Sequence, residues 1–154
     1  MITVLLIVHG LLAVALLGAT THQAVSVRSR PPGLDRSFVD HFGGVTPSVF
    51  PGAIVVLFLL TIVGGGFLYP QYRLDVRPSL EEMQLGAANG VFEIKEHLAA
   101  MGLGLLPAYW YCWKAPLSVD HAATRRYLTW LLAFIVWWGF LAGHVLNNIK
   151  GLVP

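Results

Sequence analysis

Four apolar stretches alternate with polar connectors along the chain. A bilayer core of about 30 Å needs roughly 20 apolar residues in a helix, and each stretch approaches that length. The stretches run from Ile2 to about Ala24, from about Gly52 to Tyr69, from about Gly90 to Trp113 and from about Thr124 to Leu146, and Pro51, Pro70 and Pro116 stand at their boundaries, where proline does least harm to a helix. The pattern predicts an all-α integral membrane protein with one domain, residues 1–154, built as a four-transmembrane-helix antiparallel bundle.

The composition agrees with this pattern and excludes several classes of protein. Hydrophobic residues make up 56% of the chain and charged residues only 12%, whereas soluble domains carry about 25% charged residues. The net charge of +2 is too small to indicate a nucleic-acid partner. Cys112 is the single cysteine, which excludes an internal disulfide, a cysteine-ligated cluster and a CxxCH haem attachment. Any metal or cofactor must therefore be held by other side chains.

The distribution of lysine and arginine predicts an orientation. Connectors rich in these residues tend to stay in the cytoplasm. The connectors after the first and third stretches carry Arg28, Arg30, Arg36, Lys114, Arg125 and Arg126, whereas the opposite side carries Arg73, Arg77, Lys95 and Lys150. Both termini are therefore expected outside the cytoplasm of a bacterial inner membrane. No Lys or Arg precedes the first stretch, as a signal peptide would require, so we expect that stretch to be a retained helix.

Three histidines are expected at one depth in the membrane. His9 and His97 each lie seven residues after the start of their stretch, and His144 lies a few residues before the end of the fourth. At a rise of about 1.5 Å per residue, all three fall roughly 5 to 10 Å inside the same leaflet. Ionisable groups inside a membrane are costly and usually functional, so the coincidence favours a shared site.

Glycines and acidic residues fall in the same layer. The "GGG" of residues 64–66, centred on Gly65, reaches that depth, and glycine lets a bulky group approach a helix backbone; ordinary close packing of helices is the alternative explanation. Glu93, His97 and Met101 share one face of the third helix because they are four residues apart. Glu93 is expected to orient the His97 ring through its second nitrogen. Lys95 is expected to point elsewhere and Glu96 to stay in the headgroup layer.

A single b-type haem is the cofactor that this layer fits best. Its iron takes two axial ligands, commonly histidines from two helices of a bundle. Arg73 and Arg77 lie just outside the layer and suit the two propionates, since arginine makes bidentate contacts with carboxylates. With His9, His97 and His144 in four spans, the chain resembles in architecture the small four-helix b-type cytochrome subunits of membrane redox complexes. The resemblance implies electron transfer between the quinol side of the membrane and an extracytoplasmic partner.

The sequence leaves the second ligand and two other functions open. His97 is the first choice of ligand because its face also carries Glu93, and either His9 or His144 supplies the other. Three histidines with Glu93 are also an acceptable ligand set for a bare copper, zinc or iron ion. A structural subunit whose histidines bond neighbouring helices is the third hypothesis. Expected partners are the bilayer, other subunits of a redox complex and a quinone, and an accessory subunit is favoured over a stand-alone enzyme.

Overall fold

The chain is helical throughout the part that the structure describes. This computed structural model describes residues 2–27, 46–114 and 117–151. We number its α-helices in chain order: α1 (Ile2–Ser26), α2 (Pro51–Gln71), α3 (Arg77–Glu82), α4 (Gly86–Trp113) and α5 (Ala122–Gly151), with a 3₁₀ turn at Pro47–Val49 and a π-helical segment at Tyr72–Val76. No strand occurs in those ranges, so the all-α prediction is confirmed.

Three helices in the described ranges are long and apolar enough to cross a membrane: Ile2–Ser26, Pro51–Glu82 and Ala122–Ile149. They indicate a membrane protein. α4 is also long, but Glu93, Lys95 and Glu96 lie in its first third. The apolar run from Leu98 to Trp113 reaches only about 24 Å at 1.5 Å per residue, short of the roughly 30 Å of a bilayer core. The composition of α4 therefore does not by itself establish a fourth span.

The second long helix does not end at Pro70 as the sequence pattern predicts. Pro70 lies inside the helix, and the chain continues through the π-helical segment into α3 as far as Glu82. Beside Pro70 the bonding is ordinary, since the N–H of Tyr72 bonds to the carbonyl of Leu68, and the wider turn comes after Pro70 and just before Pro78. Here the N–H of Arg77 bonds to the carbonyl of Tyr72, five residues back. The "YPQYRLDVRPSLEE" connector is thus mostly helix, and it carries Arg73 and Arg77 on a rigid support.

The four long helices pack as a ring in the order α1, α2, α4, α5. Each contacts its two neighbours in that order, so α1 and α4 lie diagonally opposite one another. The contact between α2 and α4 is the least extensive of the four. We call the half of the ring near Ser26, Pro51 and Trp113 the closed half, and the half near His9, Gly65 and Glu96 the open half.

The hydrophobic core lies in the closed half and at mid-height. Two side-chain hydrogen bonds tie the helices together there. The hydroxyl of Tyr109 donates to Gln23 Oε1 at 2.7 Å, and Trp113 Nε1 donates to Thr129 Oγ1 at 3.2 Å. The buried core cluster consists of Leu16, Ile54, Phe58, Leu106, Tyr109, Trp113, Leu132, Ile135 and Val136. Because the core stops at about the middle of the helices, the open half has room for a cavity.

Gly102 sets the closest approach between α2 and α4. A Cβ at this position would lie 2.5 Å from Cζ of Phe58 and 3.3 Å from Cγ2 of Ile135. We expect Gly102→Ala to destabilise the protein by about 1–3 kcal/mol, because the buried Phe58 ring must leave its rotamer. Thermal unfolding of the purified protein in detergent measures this.

Gly104→Ala is the matched control for Gly102→Ala. A Cβ at Gly104 meets nothing within 4 Å, and both residues lie in α4. In an open helical position the change from glycine to alanine stabilises a helix by up to about 1 kcal/mol. Equal unfolding temperatures for the two variants would show that Phe58 does not pack against Gly102 as described.

Candidate functional site

The open half contains a cleft of about 690 Å³, which we call the main cleft. All four long helices line it. Its floor is formed by the core residues Phe58, Ile135 and Val136, and small residues such as Ala13, Gly65 and Gly139 line its walls. Pockets for cofactors and small molecules are typically about 300–1,000 Å³, mostly apolar with a few polar groups. The main cleft has that size and that kind of lining.

A smaller cavity of about 380 Å³ adjoins the main cleft, and we call it the upper cavity. The two share lining residues from every long helix, among them His9, Gly65, Lys95 and Gly139. The upper cavity is also lined by Ile2, Leu6, Gly143, His144 and Asn147, near the ends of α1 and α5. The two cavities together occupy the open half of the ring.

The structure brings most of the predicted site residues to one cavity. His144 is the exception, because it lines the upper cavity and not the main cleft. The predicted residues that line the main cleft are His9, Gly65, Arg73, Arg77, Glu93 and His97.

His97 is held by the backbone of its own helix. Its Nδ1 lies 2.6 Å from the carbonyl oxygen of Glu93, so Nδ1–H donates to that oxygen and Nε2 remains the nitrogen able to bind a metal. The predicted orienting group was the Glu93 carboxylate, which instead lies 3.9 Å from Nη1 of Arg77. The ring is exposed, as is Met101 one turn further along α4. This face of α4 therefore borders the cleft from its outer side.

His9 packs against the glycines of α2. A Cβ at Gly64 would lie 3.2 Å from Nδ1 of His9, and one at Gly65 would lie 3.4 Å from Cε1. These glycines are needed because the His9 ring itself occupies the space beside the α2 backbone. Nδ1 of His9 is buried against the α2 backbone, beside Gly64 and the backbone of Thr61.

His144 has different surroundings from the other two histidines. Its exposed ring stacks on Phe140 with centroids 6.3 Å apart. Nδ2 of Asn148 lies 3.3 Å from Nε2 of His144 and donates to it in the tautomer that leaves this nitrogen unprotonated. Because Nε2 is already engaged by Asn148, His144 is less ready than His97 to bind a ligand through that atom.

Aromatic and cationic side chains form the upper rim of the main cleft. The rings of Tyr72 and Phe92 stack with centroids 3.5 Å apart, and the Tyr72 hydroxyl donates to Asn89 Oδ1 at 2.9 Å. The guanidinium of Arg73 lies 6.0 Å from the Tyr69 ring centroid. Arg77 Nε donates to Glu81 Oε1 at 2.8 Å, in an exposed pair. The rim thus combines flat apolar surface with positive charge.

No family model, curated protein or solved structure matches the chain. The residues that line the cleft are what indicate its chemistry.

Lys95 and Glu96 are cleft residues that the sequence reasoning missed. Both line the main cleft and the upper cavity, although we expected Lys95 to point elsewhere and Glu96 to remain in the headgroup layer. Lys95 Nζ lies 2.8 Å from Glu96 Oε1 and 4.9 Å from the Phe92 ring centroid. Helical spacing contains part of the signal: Lys95 stands seven residues, or about two turns, before the buried Gly102 and lies on the same face of α4.

The ligand set predicted for a bare metal ion is not assembled. Over residues 2–27, 46–114 and 117–151, no three His, Cys, Asp or Glu side chains are grouped closely enough to hold an ion. His9 and His97 line the main cleft, His9 and His144 line the upper cavity, and the three histidines lie on three different helices.

Proposed function

We propose that the chain is a haem b-binding membrane subunit of a redox complex and that α4 is its fourth membrane span. One observation carries the proposal: His9 and His97 line the same 690 Å³ cleft from helices that face each other across the ring. A b-type haem is commonly held by two histidines from different helices of a bundle.

The contacts of the His97 and His9 rings support their roles as axial ligands. The carbonyl of Glu93 fixes the His97 tautomer and leaves Nε2 for the iron, which is how ligating histidines are usually oriented. His9 lines the same cleft, and its Nδ1 is buried beside Gly64 of α2. His144 is the alternative second ligand, because it lines the adjoining cavity. Small residues of α2 and α5, including Gly65 and Gly139, would face the edges of the ring system.

The cations of the rim would bind the propionates. Arg73 and Arg77 line the main cleft at its upper end, and both are supported by the π-helical segment and the start of α3. Arginine matches carboxylates in geometry and charge. Lys95 adds a third cation in the same cleft. The apolar floor would take the hydrocarbon body of the haem, since burial of that surface is favourable.

The bound haem would supply one-electron chemistry between the quinol side of the membrane and an extracytoplasmic redox partner. Its axial histidines and the polarity of the cleft would set the reduction potential. We propose a bacterial inner membrane, with both termini and the open half toward the extracytoplasmic side. That orientation depends partly on Arg28, Arg30 and Arg36, which lie outside the described residues.

An absorption spectrum of the full chain, purified in detergent from haem-replete cells, tests the proposal. We expect a Soret band, a reducible α-band of b type and one haem per chain by pyridine haemochrome assay. A colourless protein from such cells would overturn it. Elemental analysis of colourless protein then separates a bare copper, zinc or iron ion from a non-redox structural subunit.

A further inference from the structure

α2 and α4 are bridged at two levels with a space between them. At the lower level the buried Phe58 ring packs on Gly102. At the upper level Tyr72 stacks on Phe92 and bonds to Asn89, and Arg77 lies near Glu93. Ten residues of α4 separate Phe92 from Gly102, which corresponds to about 15 Å along the helix. The upper bridge is made mainly by the π-helical segment and α3, and α2 itself contributes Tyr69, whose ring centroid lies 6.3 Å from that of Phe92.

The main cleft reaches the protein surface through that space. Gly66 of α2 and His97, Ala100 and Leu103 of α4 line the cleft and are also exposed. A Cβ at Gly66 would meet nothing within 4 Å, so the backbone there is open on its outer side. Among the four pairs of adjacent long helices, α2 and α4 have the least extensive contact.

We infer that this space is a lateral opening to the bilayer, and that a flat apolar ring system bearing carboxylates enters the main cleft through it from the lipid. The inference rests on the proposed membrane topology, but it does not need iron. In the bilayer such an amphiphile already has its apolar body among the acyl chains and its carboxylates near the headgroups.

The chemistry around the opening fits that class of ligand. Small side chains at Gly66, Ala99 and Ala100 leave passage for a flat body. Arg73 and Arg77 lie above the opening, where carboxylates at the membrane surface would meet them. Sideways movement keeps the apolar body out of water and the carboxylates near cations throughout entry. The Arg77–Glu93 pair, 3.9 Å apart, spans the upper edge of the opening.

Narrowing the opening with tryptophan tests the inference. Gly66→Trp and Ala100→Trp place bulky rings at its two sides. Ala53→Trp and Ala108→Trp are matched controls, because both alanines are exposed, lie on the same two helices and line neither cavity. Each full-length variant is prepared haem-free, reconstituted in phospholipid nanodiscs and mixed with haemin or metal-free protoporphyrin IX. The loading rate is followed by Soret absorbance for haemin and by fluorescence for protoporphyrin IX.

We expect Gly66→Trp and Ala100→Trp to load both porphyrins about tenfold or more slowly, as for binding that requires a conformational change. The controls should load at the wild-type rate, and circular dichroism should show equal helix content in all five proteins. Unchanged loading rates in both narrowed variants would overturn the lateral opening, even if haemin gives a b-type spectrum. Slowed loading of protoporphyrin IX without a haemin spectrum would support the opening and overturn haem ligation.

Discussion

Replacing His97 by alanine is expected to abolish the b-type spectrum. The variant loses the nitrogen that binds iron, while the apolar floor of the main cleft remains. We expect haem content per chain to fall by at least about tenfold, since loss of an axial ligand costs more than the 10- to 100-fold typical of a supporting residue. The pyridine haemochrome assay and the Soret absorbance of purified protein measure this change.

Added imidazole and variants of three other histidines make this prediction specific. Imidazole diffusing into the cavity of His97→Gly should restore part of the Soret band, which a purely structural role of His97 would not produce. His9→Ala should lose haem as His97→Ala does. His121→Ala should retain haem, because this ring lies in the closed half, against Tyr111. Loss of haem from His144→Ala with retention in His9→Ala would reassign the second ligand to His144.

Replacing Gln23 by leucine is expected to cause the largest loss of stability. Gln23 is fully buried and makes two hydrogen bonds: it accepts from Tyr109, and its Nε2 donates to the carbonyl of Pro47 at 3.1 Å. Gln23→Leu leaves the Tyr109 hydroxyl and that carbonyl without their partner. Each buried unsatisfied group costs about 1–3 kcal/mol, so we expect a loss of about 2–5 kcal/mol in the free energy of unfolding.

A double-mutant cycle separates this bond from general packing. Tyr109→Phe alone leaves Gln23 Oε1 without its donor, whereas the double variant Gln23→Leu/Tyr109→Phe removes both partners. The double variant should be more stable than the sum of the single losses predicts, with a coupling energy of about 0.5–3 kcal/mol. Tyr111→Phe is the control, because Tyr111 is 65% exposed on the same helix. Additive losses would show that the two side chains act independently.

Much of the framework follows from the pattern of apolar residues. The starts of α1 and α2 and the end of α4 fall within about two residues of the predicted positions, because Pro51 and the polar connectors mark them. Helical structure continues past the predicted boundary at Pro70, through the π-helical segment into α3. The proline at position 70 favours a helix end in the local sequence, but the helical structure continues into α3.

The sequence predicts a common depth for the three histidines from their distance to a helix end, and in the structure His9 and His97 line the main cleft while His144 lines the upper cavity. The sequence does not determine which face of α4 points into the ring of helices. Glu93, His97 and Met101 form a regular stripe four residues apart, and Lys95, Gly102 and Tyr109 form another seven residues apart, because both spacings match a helix. In the structure Met101 is exposed and Gly102 is buried. The sequence pattern alone had favoured the first stripe.

The sequence by itself determined the helical class and the apolar lengths of the helices. These properties are local, since they depend on composition and on the rise of a helix. The tertiary structure decided the rotation of α4, because the Phe58 ring fits only over a residue without Cβ and Tyr109 must reach Gln23. That rotation brings Lys95 and Glu96 into the cleft and leaves His97 at its outer edge. Such contacts join residues far apart in the chain, and no local pattern encodes them.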